Sequence, residues 1–318
     1  MKPQEKPQEK GAALINVLVL VGIMAALSTS LFDRLRLARH LDASRTSIET
    51  ARSAALAVEP MIAARLPLPK LPAGAFRLDT PGGAVLVRLR PGGNCFNLNS
   101  TAMGLPGRTA SRPLGIEQLA RLLASLDVPA DDAQRIASAT ADWIDVDSQP
   151  GSGGAEDAAY ARASTPYRTA ATPMAEVSEW RAVAGVTPAI FARAQPLLCA
   201  LPETILSPIN INSLAPADAP VLAAIANLPV ATARDAIAAR PAGGWASPDQ
   251  FWTQSLLANR QLPADVLRQI DVKDRFVAFS LETTLANEGP ALPLEASGLF
   301  DAGTRPARLL VRRWGPET

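Results

Sequence analysis

Apolar residues are concentrated near the start of the chain, where the stretch from Ala12 to Phe32 holds 21 residues without a charge. An α-helix of that length rises roughly 30 Å, which is enough to cross the hydrocarbon core of a bilayer. A polar segment precedes this stretch, and basic residues follow it from Arg34 onward. The pattern therefore predicts one membrane-spanning helix close to the N-terminus.

The helical pattern continues beyond the membrane segment and ends near Pro60, Pro67 and Pro69. Apolar side chains recur mostly at three- and four-residue steps, at Leu31, Leu35, Ala38, Leu41, Ile48, Ala51, Ala55 and Val58. This spacing places them on one helix face. We expect one helix from about Ala12 to Ala64, with a lipid-facing first half and an amphipathic second half.

Strand-like patterns lie on both sides of a long helical block. Two of them, 76–79 and 84–90, flank the turn Thr80-Pro-Gly-Gly83, and a short alternating segment follows at 94–99. The pattern is helical from Gly115 to about Leu262, and strand-like again at 275–282 and 305–313. We therefore predict an α+β fold, in which the long helix packs on a small antiparallel sheet and an all-helical block is inserted between strands.

Three interpretations compete for the N-terminus. A cleavable signal peptide has a shorter apolar region and a small-residue cleavage site, and the polar continuation from Asp33 to Arg36 fits that poorly. A plain signal anchor explains the length but not Gly11, which ends the polar leader. The third is a prepilin-type leader, cut after Gly11 so that Ala12 becomes the mature N-terminus. Basic residues on both sides leave the orientation open.

Composition argues against several classes of function. With 31 Lys and Arg against 30 Asp and Glu, the net charge of +1 lacks the basic excess of a nonspecific nucleic-acid binder. One His and two Cys exclude a Cys/His zinc cluster, and the single His40 lies beside the membrane segment. The sequence has no Walker loop and no nucleophile elbow. We expect no enzymatic activity.

The strongest local chemistry lies between Ile136 and Ala161, a stretch without Lys or Arg that contains Asp142, Asp145, Asp147, Glu156 and Asp157. In a twelve-residue calcium loop, Asp145, Asp147 and Gln149 would occupy positions 1, 3 and 5, the Gly151 carbonyl position 7, and Glu156 position 12. Pro150 and Ser152 depart from the EF-hand pattern. We predict calcium ligands at Asp145, Asp147, Gln149 and Glu156, with Asp157 next; the alternative is a solvated acidic loop.

Several motifs together resemble the K-type minor pseudopilin of type II secretion, general secretion pathway protein K. They occur in the order typical of that family and cover nearly the whole chain: Lys10-Gly11, Cys95-Phe-Asn-Leu-Asn-Ser100, Trp143-Ile-Asp-Val-Asp-Ser-Gln-Pro150, Gly154-Ala-Glu-Asp157, Val177-Ser-Glu-Trp-Arg181, Gly185-Val-Thr-Pro188 and Ile209-Asn-Ile-Asn-Ser213.

The resemblance implies cleavage after Gly11 by a prepilin peptidase and N-methylation of Ala12. It implies a single-pass protein of the bacterial inner membrane, with a cytoplasmic N-terminus and a periplasmic soluble part. Pilin-like subunits usually carry Glu at the fifth mature position, here Asn16, whose neutral side chain cannot form the intersubunit ion pair. K-type members share this departure and are placed at the pseudopilus tip; the alternative is that Asn16 is a tolerated polar residue.

The family further implies a structural calcium ion in the helical domain. Its implied partners are the minor pseudopilins of the I and J types, the major pseudopilin, prepilin peptidase, the inner-membrane secretion machinery and secreted substrates. In an oxidising periplasm, Cys95 and Cys199 would form a disulfide, although two buried thiols remain an alternative.

The expected domain boundaries follow the patterns and the resemblance. They are a leader (1–11), a transmembrane helix (12–32), the periplasmic half of the long helix (33–66), pilin-like strands (67–112), a first helical subdomain with the acidic loop (113–204), a second helical subdomain (205–268) and C-terminal strands (269–318).

The second helical subdomain supports an alternative function. Its pattern resembles a helix-hairpin-helix or SAM-like unit, as carried by membrane-anchored competence DNA receptors. The DNA-binding form uses a Gly-rich hairpin to hold a phosphate, whereas the hairpin from Leu228 to Ala233 has no Gly, and the only basic residues close by are Arg234 and Arg240. We expect no nucleic-acid partner.

Overall fold

The computed structural model describes residues 9–68, 70–254, 257, 261–285 and 294–315. Its first element is helix α1 (Glu9–Arg65), whose 57 residues span roughly 85 Å. Among the described helices, α1 is the one long and apolar enough to cross a membrane, and its apolar stretch reaches a mean hydropathy of 2.2 over 18 residues. The predicted long N-terminal helix is thus confirmed, while leader residues 1–8 lie outside the described residues.

The remaining helices are short. They are α2 (Pro113–Ala124), α3 (Ala130–Ile144), α4 (Asp157–Tyr160), α5 (Pro188–Ala194), α6 (Ala219–Ala226), α7 (Val230–Ala238), α8 (Pro248–Trp252) and α9 (Ala264–Leu267), with 3₁₀ turns at Leu98–Thr101, Val177–Ala182, Gln195–Leu197 and Pro216–Asp218. The strands are β1 (Phe76–Thr80), β2 (Gly83–Pro91), β3 (Phe96–Asn97), β4 (Ala102–Leu105), β5 (Arg108–Ser111), β6 (Leu198–Cys199), β7 (Ile209–Asn210), β8 (Ile270–Asp271), β9 (Phe276–Leu285), β10 (Leu294–Asp301) and β11 (Arg308–Trp314).

Five strands form the main sheet in the order β1-β2-β9-β10-β11, so the helical block enters between sheet neighbours β2 and β9. The small antiparallel sheet with a helical insertion is therefore confirmed. Strand β10, which pairs antiparallel with β11, was not expected from the sequence. Its Gly298 lies so close to β11 and Phe279 that a Cβ would come within 2.3 Å of the Val311 carbonyl oxygen. Only glycine fits that position, and glycine weakens the strand signal.

By its contacts the chain divides into two units. We call Met1–Val58, Arg77–Leu86 and Glu282–Leu294 the anchor unit, and Glu59–Phe76, Val87–Leu281 and Glu295–Thr318 the helical unit. In the anchor unit, burial along α1 begins at Ala51, and Ala54, Ala55 and Val58 continue the buried face. The earlier part of the predicted stripe, including Leu31 and Ile48, is exposed.

In the helical unit, the end of α1 is held to strand β11 by an ion pair. Glu59, whose side chain is 6% exposed, accepts two hydrogen bonds from the Arg312 guanidinium, one of them at 2.6 Å from Nε. The backbone N–H of Ala307 also donates to the Ala63 carbonyl at 3.1 Å. A bidentate pair of this kind fixes orientation as well as distance.

Two segments of similar sequence, Asn97-Leu-Asn99-Ser and Asn210-Ile-Asn212-Ser, make matching hydrogen bonds. In each, the first Asn side chain accepts from the N–H of the second Asn, at 3.2 Å and 2.9 Å respectively. The second Asn then pairs its amide with both backbone groups of a distant residue. That residue is Met174 for Asn99, at 2.7 and 2.9 Å, and Trp245 for Asn212, at 2.7 and 3.0 Å.

The chain around both segments repeats as well. Each segment belongs to a two-residue strand that pairs in parallel with the strand closing its helices, with Phe96 opposite Leu198 and Ile209 opposite Ile270. The second Asn of each segment also donates to a carbonyl just after the closing strand. Asn99 donates to the Leu201 carbonyl, and Asn212 donates to the Val272 carbonyl. The helical unit thus contains two copies of one folding motif, which we call the first module (94–201) and the second module (209–273).

We expect Asn99→Ala to lower the free energy of unfolding by roughly 3 kcal/mol, because it leaves the buried backbone groups of Met174 without partners. Asn212→Ala should act in the same direction through Trp245. Chemical denaturation in detergent measures both, with the exposed amide variant Gln195→Ala as the control. Equal stability of all three variants would contradict this role of the asparagines.

Candidate metal centre

Three of the predicted calcium ligands meet at one point of the first module. Asp145 is the C-cap of α3, Asp147 follows two residues later, and Glu156 is the N-cap of α4. Each offers one carboxylate oxygen, and these oxygens lie within 4.8 Å of one another. Asp145 and Glu156 are only 2% and 7% exposed, whereas Asp147 is open to solvent. The loop therefore assembles a compact group of hard oxygen atoms.

The buried members of this group have oxygen atoms without partners. Asp145 accepts a hydrogen bond from the Ser111 hydroxyl at 2.6 Å through Oδ2, but its buried Oδ1 has no hydrogen-bond partner. Glu156 Oε1 is likewise buried and unpartnered. No ion pair among the described residues involves Asp145, Asp147 or Glu156. Buried carboxylate oxygens without donors are costly unless a cation binds them.

The raised pKa values of these buried acids also indicate that their negative charges are uncompensated. Burial, followed by the nearby Asp142, Asp145 and Asp147, raises the pKa of Glu156 to about 7. Burial raises the pKa of Asp145 too, against the effect of the Ser111 hydrogen bond. Like charges that raise one another's pKa repel when ionised. A divalent cation would remove both the repulsion and the cost of burial, so the donor set fits calcium.

Asp142 shapes the loop, a role that the sequence analysis missed. Its carboxylate, 1% exposed, accepts from the N–H of Gly151 at 3.1 and 3.2 Å. A Cβ on Gly154 would lie 1.9 Å from Asp142 Oδ2, so the glycines let the loop wrap this carboxylate. Burial raises the pKa of Asp142 to about 6. The signal was available, since Asp142 precedes Asp145 by one helical turn.

Two predicted ligands are placed differently. Asp157 accepts hydrogen bonds from the Thr169 N–H and hydroxyl at 2.9 and 3.0 Å and lies 3.9 Å from Arg168, outside the group of three carboxylates. The Asp157 carboxylate thus bonds to the segment beyond α4, and its role as a further ligand stays a prediction. Gln149 is exposed, and its backbone N–H donates to Asp147 at 2.7 Å. The Gly151 carbonyl accepts from the Gly154 N–H at 2.8 Å.

The other predicted site residues lie on α1 or join strands β3 and β6. Gly11 and Ala12 fall inside α1, and Asn16 is exposed on the same helix. Cys95 and Cys199 form a disulfide, with Cα atoms 5.7 Å apart and a sequence separation of 104. This bond links the two ends of the first module beside the parallel strand pair.

Family comparisons match both modules. The model for "Type II secretion system (T2SS), protein K" matches residues 209–273, and a model for the first domain of the same protein matches residues 94–203. Type II secretion system protein K of Pectobacterium carotovorum subsp. carotovorum is 31% identical over 268 residues, covering 79% of this chain and 81% of that protein. The Pseudomonas aeruginosa protein is 32% identical, covering 76% of each.

A solved structure is also similar. It is the crystal structure of the GspK-GspI-GspJ complex from the enterotoxigenic Escherichia coli type 2 secretion system. The match has a TM-score of 0.68 and 30% sequence identity, and covers 89% of this chain and 100% of the matched chain.

We expect calcium to raise the melting temperature of the protein, because an ion held by the three carboxylates would bind the folded loop and not the unfolded chain; at a hundredfold excess over Kd the gain would be about 2.7 kcal/mol. Glu156→Gln should abolish the shift. Without calcium, this variant should be no less stable than the wild type, because it removes a repelling charge. Differential scanning calorimetry with calcium or chelator measures both effects. Asp132→Asn, which changes an exposed acid paired with Arg135, is the control; an unchanged calcium shift in Glu156→Gln would contradict the site.

Proposed function

This chain belongs to the family of type II secretion system protein K, and on that basis we propose that it acts as a minor pseudopilin at the tip of the pseudopilus. There it would initiate pseudopilus assembly and support the export of folded proteins across the outer membrane. Its contribution would be assembly and presentation of a surface, without catalysis. The observation that carries this proposal is the make-up of helix α1. Its first part is the apolar stretch that would span the membrane, and near its end Glu59 forms an ion pair with Arg312 of the helical unit.

The N-terminal segment supports processing by prepilin peptidase. Cleavage after Gly11 would leave Ala12 as an N-methylated terminus at the start of the apolar stretch. The 21 uncharged residues would then sit in the inner membrane, with the N-terminus in the cytoplasm and the helical unit in the periplasm. A disulfide between Cys95 and Cys199 agrees with an oxidising compartment for the helical unit.

The tip position is supported by the side chain at the fifth mature residue. Asn16 carries no charge, so it cannot neutralise the amine of a neighbouring subunit in the membrane, where an unpaired charge is costly. A subunit without this carboxylate is suited to an end of the filament. The exposed stretch of α1 from Leu31 to Ile48 offers an apolar surface to other helices.

The proposed partners follow from the related complex. The similar structure contains GspK with GspI and GspJ, and we propose that this chain binds minor pseudopilins of the I and J types. The major pseudopilin, the inner-membrane machinery and secreted substrates would be its further contacts during assembly and export.

We further propose that calcium has a structural role in this protein. Asp145, Asp147 and Glu156 would hold the ion, with Gln149 close enough in sequence to complete the oxygen set. The ion would order the loop between α3 and α4, which has few apolar residues of its own. Calcium is a hard, redox-inert cation and supplies charge neutralisation here.

The alternative function, DNA binding by a membrane-anchored receptor, has less support from the second module. Between α6 and α7, Asn227 adopts a left-handed conformation with φ of 51° where the DNA-binding hairpin uses glycine. Arg240 Nη2 donates to the Leu214 carbonyl inside the module. Arg234 alone remains exposed beside the hairpin, which is little charge for holding a phosphate backbone.

Leader processing separates a pseudopilin from an ordinary membrane anchor. The mature protein from cells with prepilin peptidase should lack residues 1–11 and carry one methyl group, whereas cells without the peptidase should yield the full chain. Intact mass spectrometry of the purified protein measures this. A Gly11→Val variant should remain unprocessed in both strains; identical masses in the two wild-type samples would exclude the pseudopilin assignment.

The partner proposal predicts that coexpression with the I and J types gives an equimolar complex. Size-exclusion chromatography with mass determination measures its composition. The matched control is the same experiment with the major pseudopilin in place of the J type, which should give no equimolar complex. Elution of this chain alone in the presence of both minor pseudopilins would contradict the proposal.

A further inference from the structure

A cavity of about 730 Å³ opens in the helical unit, between the start of α2 and the segment that leads from α9 to β9. Its size falls in the usual range for ligand-binding pockets. Met103, Leu114 and Leu206 contribute apolar surface to it, while Arg112, Lys273 and Gln269 contribute polar groups. The cavity lies apart from the three-carboxylate group, since none of those acids lines it.

Arg112 is the unusual basic residue in this cavity. Its guanidinium Nη1 is buried and has no hydrogen-bond partner. Burial lowers the pKa of Arg112, and the nearby Asp265 carboxylate raises it. Among the ion pairs of the described residues, Asp265 pairs with Arg268 and not with Arg112. A buried guanidinium nitrogen without an acceptor leaves part of its desolvation uncompensated. The position is therefore prepared for an acceptor from outside the chain.

The start of α2 strengthens the preference for an anion. Arg112 is the N-cap of this 12-residue helix and makes no side-chain capping bond, and the first turn contains no acidic residue. The positive end of the helix dipole and the amides of the first turn thus remain without a carboxylate. Pro113 and Leu114 of the same turn line the cavity. The N-terminus of α2 and the Arg112 guanidinium therefore both favour a negatively charged group at this side of the cavity.

Gln269 provides the complementary group. Its side chain is 4% exposed, and its buried Oε1 has no hydrogen-bond partner. An unpartnered amide oxygen requires a donor such as a backbone N–H. A peptide segment can supply both missing groups, a carboxylate for Arg112 and an N–H for Gln269, whereas a simple anion supplies only the first.

The remaining charges of the cavity are largely satisfied within the protein. Asp265 pairs with Arg268, Asp274 accepts from the Ser213 hydroxyl at 2.8 Å, and Asp271 accepts from the Val272 N–H at 2.6 Å. Arg275 is bound by Glu203 and Asp301. Within the described part of the chain, Arg112 and Lys273 have no ion pair. Asp271 and Asp274 have no ion pair there either, so the positive potential available to a ligand is local to Arg112 and the start of α2.

We propose that this cavity binds an extended peptide segment of another protein, in which an acidic side chain reaches Arg112 and a neighbouring apolar side chain packs against Met103, Leu114 and Leu206. The backbone of the segment donates to Gln269. Lys273 contributes a second positive charge at the opening. This binding site goes beyond assembly of the pseudopilus and does not depend on the calcium site.

Fluorescence anisotropy with the full-length protein in detergent micelles tests the proposal. The ligand is a labelled, unstructured peptide of alternating Leu and Glu with an amidated C-terminus, compared with matched peptides carrying Gln for Glu or Ser for Leu. The Leu/Glu peptide should bind, and both replacements should weaken binding. Arg112→Gln should raise Kd about tenfold or more, as expected for loss of a hydrogen bond to a charged group.

Arg108→Gln is the matched control, because Arg108 is an exposed arginine on the adjacent strand β5 and does not line the cavity. It should leave Kd unchanged. Lys273→Gln tests the same charge preference at an exposed position and should also raise Kd. This variant decides the test if the melting curve of Arg112→Gln shows that it does not fold. Equal binding of the Glu and Gln peptides, or equal Kd for the Arg112 and Arg108 variants, would overturn the proposal. Leader processing and partner binding of these variants should remain normal.

Discussion

Asparagine side chains hold each helical module closed. The strands that join the ends of each module have only two residues, which gives too few backbone hydrogen bonds to fix the ends alone. Asn99 and Asn212 supply the missing bonds by pairing with both backbone groups of a residue that is far away in sequence. Both amides have a donor and an acceptor on one planar group, so they can replace a backbone partner in a way that Ser or Thr cannot.

The two modules differ mainly in one connecting segment. This segment joins the helices of each module to the residue that pairs with the second Asn, which is Met174 in the first module and Trp245 in the second. In the second module a short turn from Ala239 to Gly244 connects α7 to Trp245. In the first module the corresponding connection includes the acidic loop and α4 before Met174. The longer connection has few apolar residues, and two of its carboxylates, of Asp145 and Glu156, are buried without basic partners. The proposed cation would neutralise these carboxylates, whereas the connection from Ala239 to Gly244 in the second module contains no acidic residue.

Long and strongly patterned elements could be predicted from the sequence. The uncharged stretch and the three- and four-residue spacing determine α1, and the Pro-Gly-Gly turn determines the β1–β2 hairpin. Strand β10 could not be predicted, because close approach to Phe279 and Val311 requires Gly298 and so removes the usual strand composition. The exposure of α1 from Leu31 to Ile48 could not be predicted either, since periodicity shows that an apolar face exists and not what covers it.

The candidate metal centre could be predicted from the sequence only in part, for a similar reason. Spacing in a loop identified Asp145, Asp147 and Glu156, but the direction of a side chain depends on tertiary contacts. Thr169, twelve residues further on, draws Asp157 away from its neighbours. The repeated Asn segments were visible in the sequence, yet their meaning required the partners Met174 and Trp245, which no local pattern indicates.

The disulfide between Cys95 and Cys199 has a mechanical consequence. The chain enters and leaves the first module at two Cα atoms 5.7 Å apart, although the two cysteines are separated by 104 positions in the sequence. Tension applied along the backbone would pass from one cysteine to the other through the covalent bond, leaving the intervening helices and the acidic loop unloaded. The ends of the second module meet through the β7–β8 pair and through hydrogen bonds to Val272 and Asp274, and this module contains no cysteine to provide such a bypass. Under load, it would be the first of the two to extend.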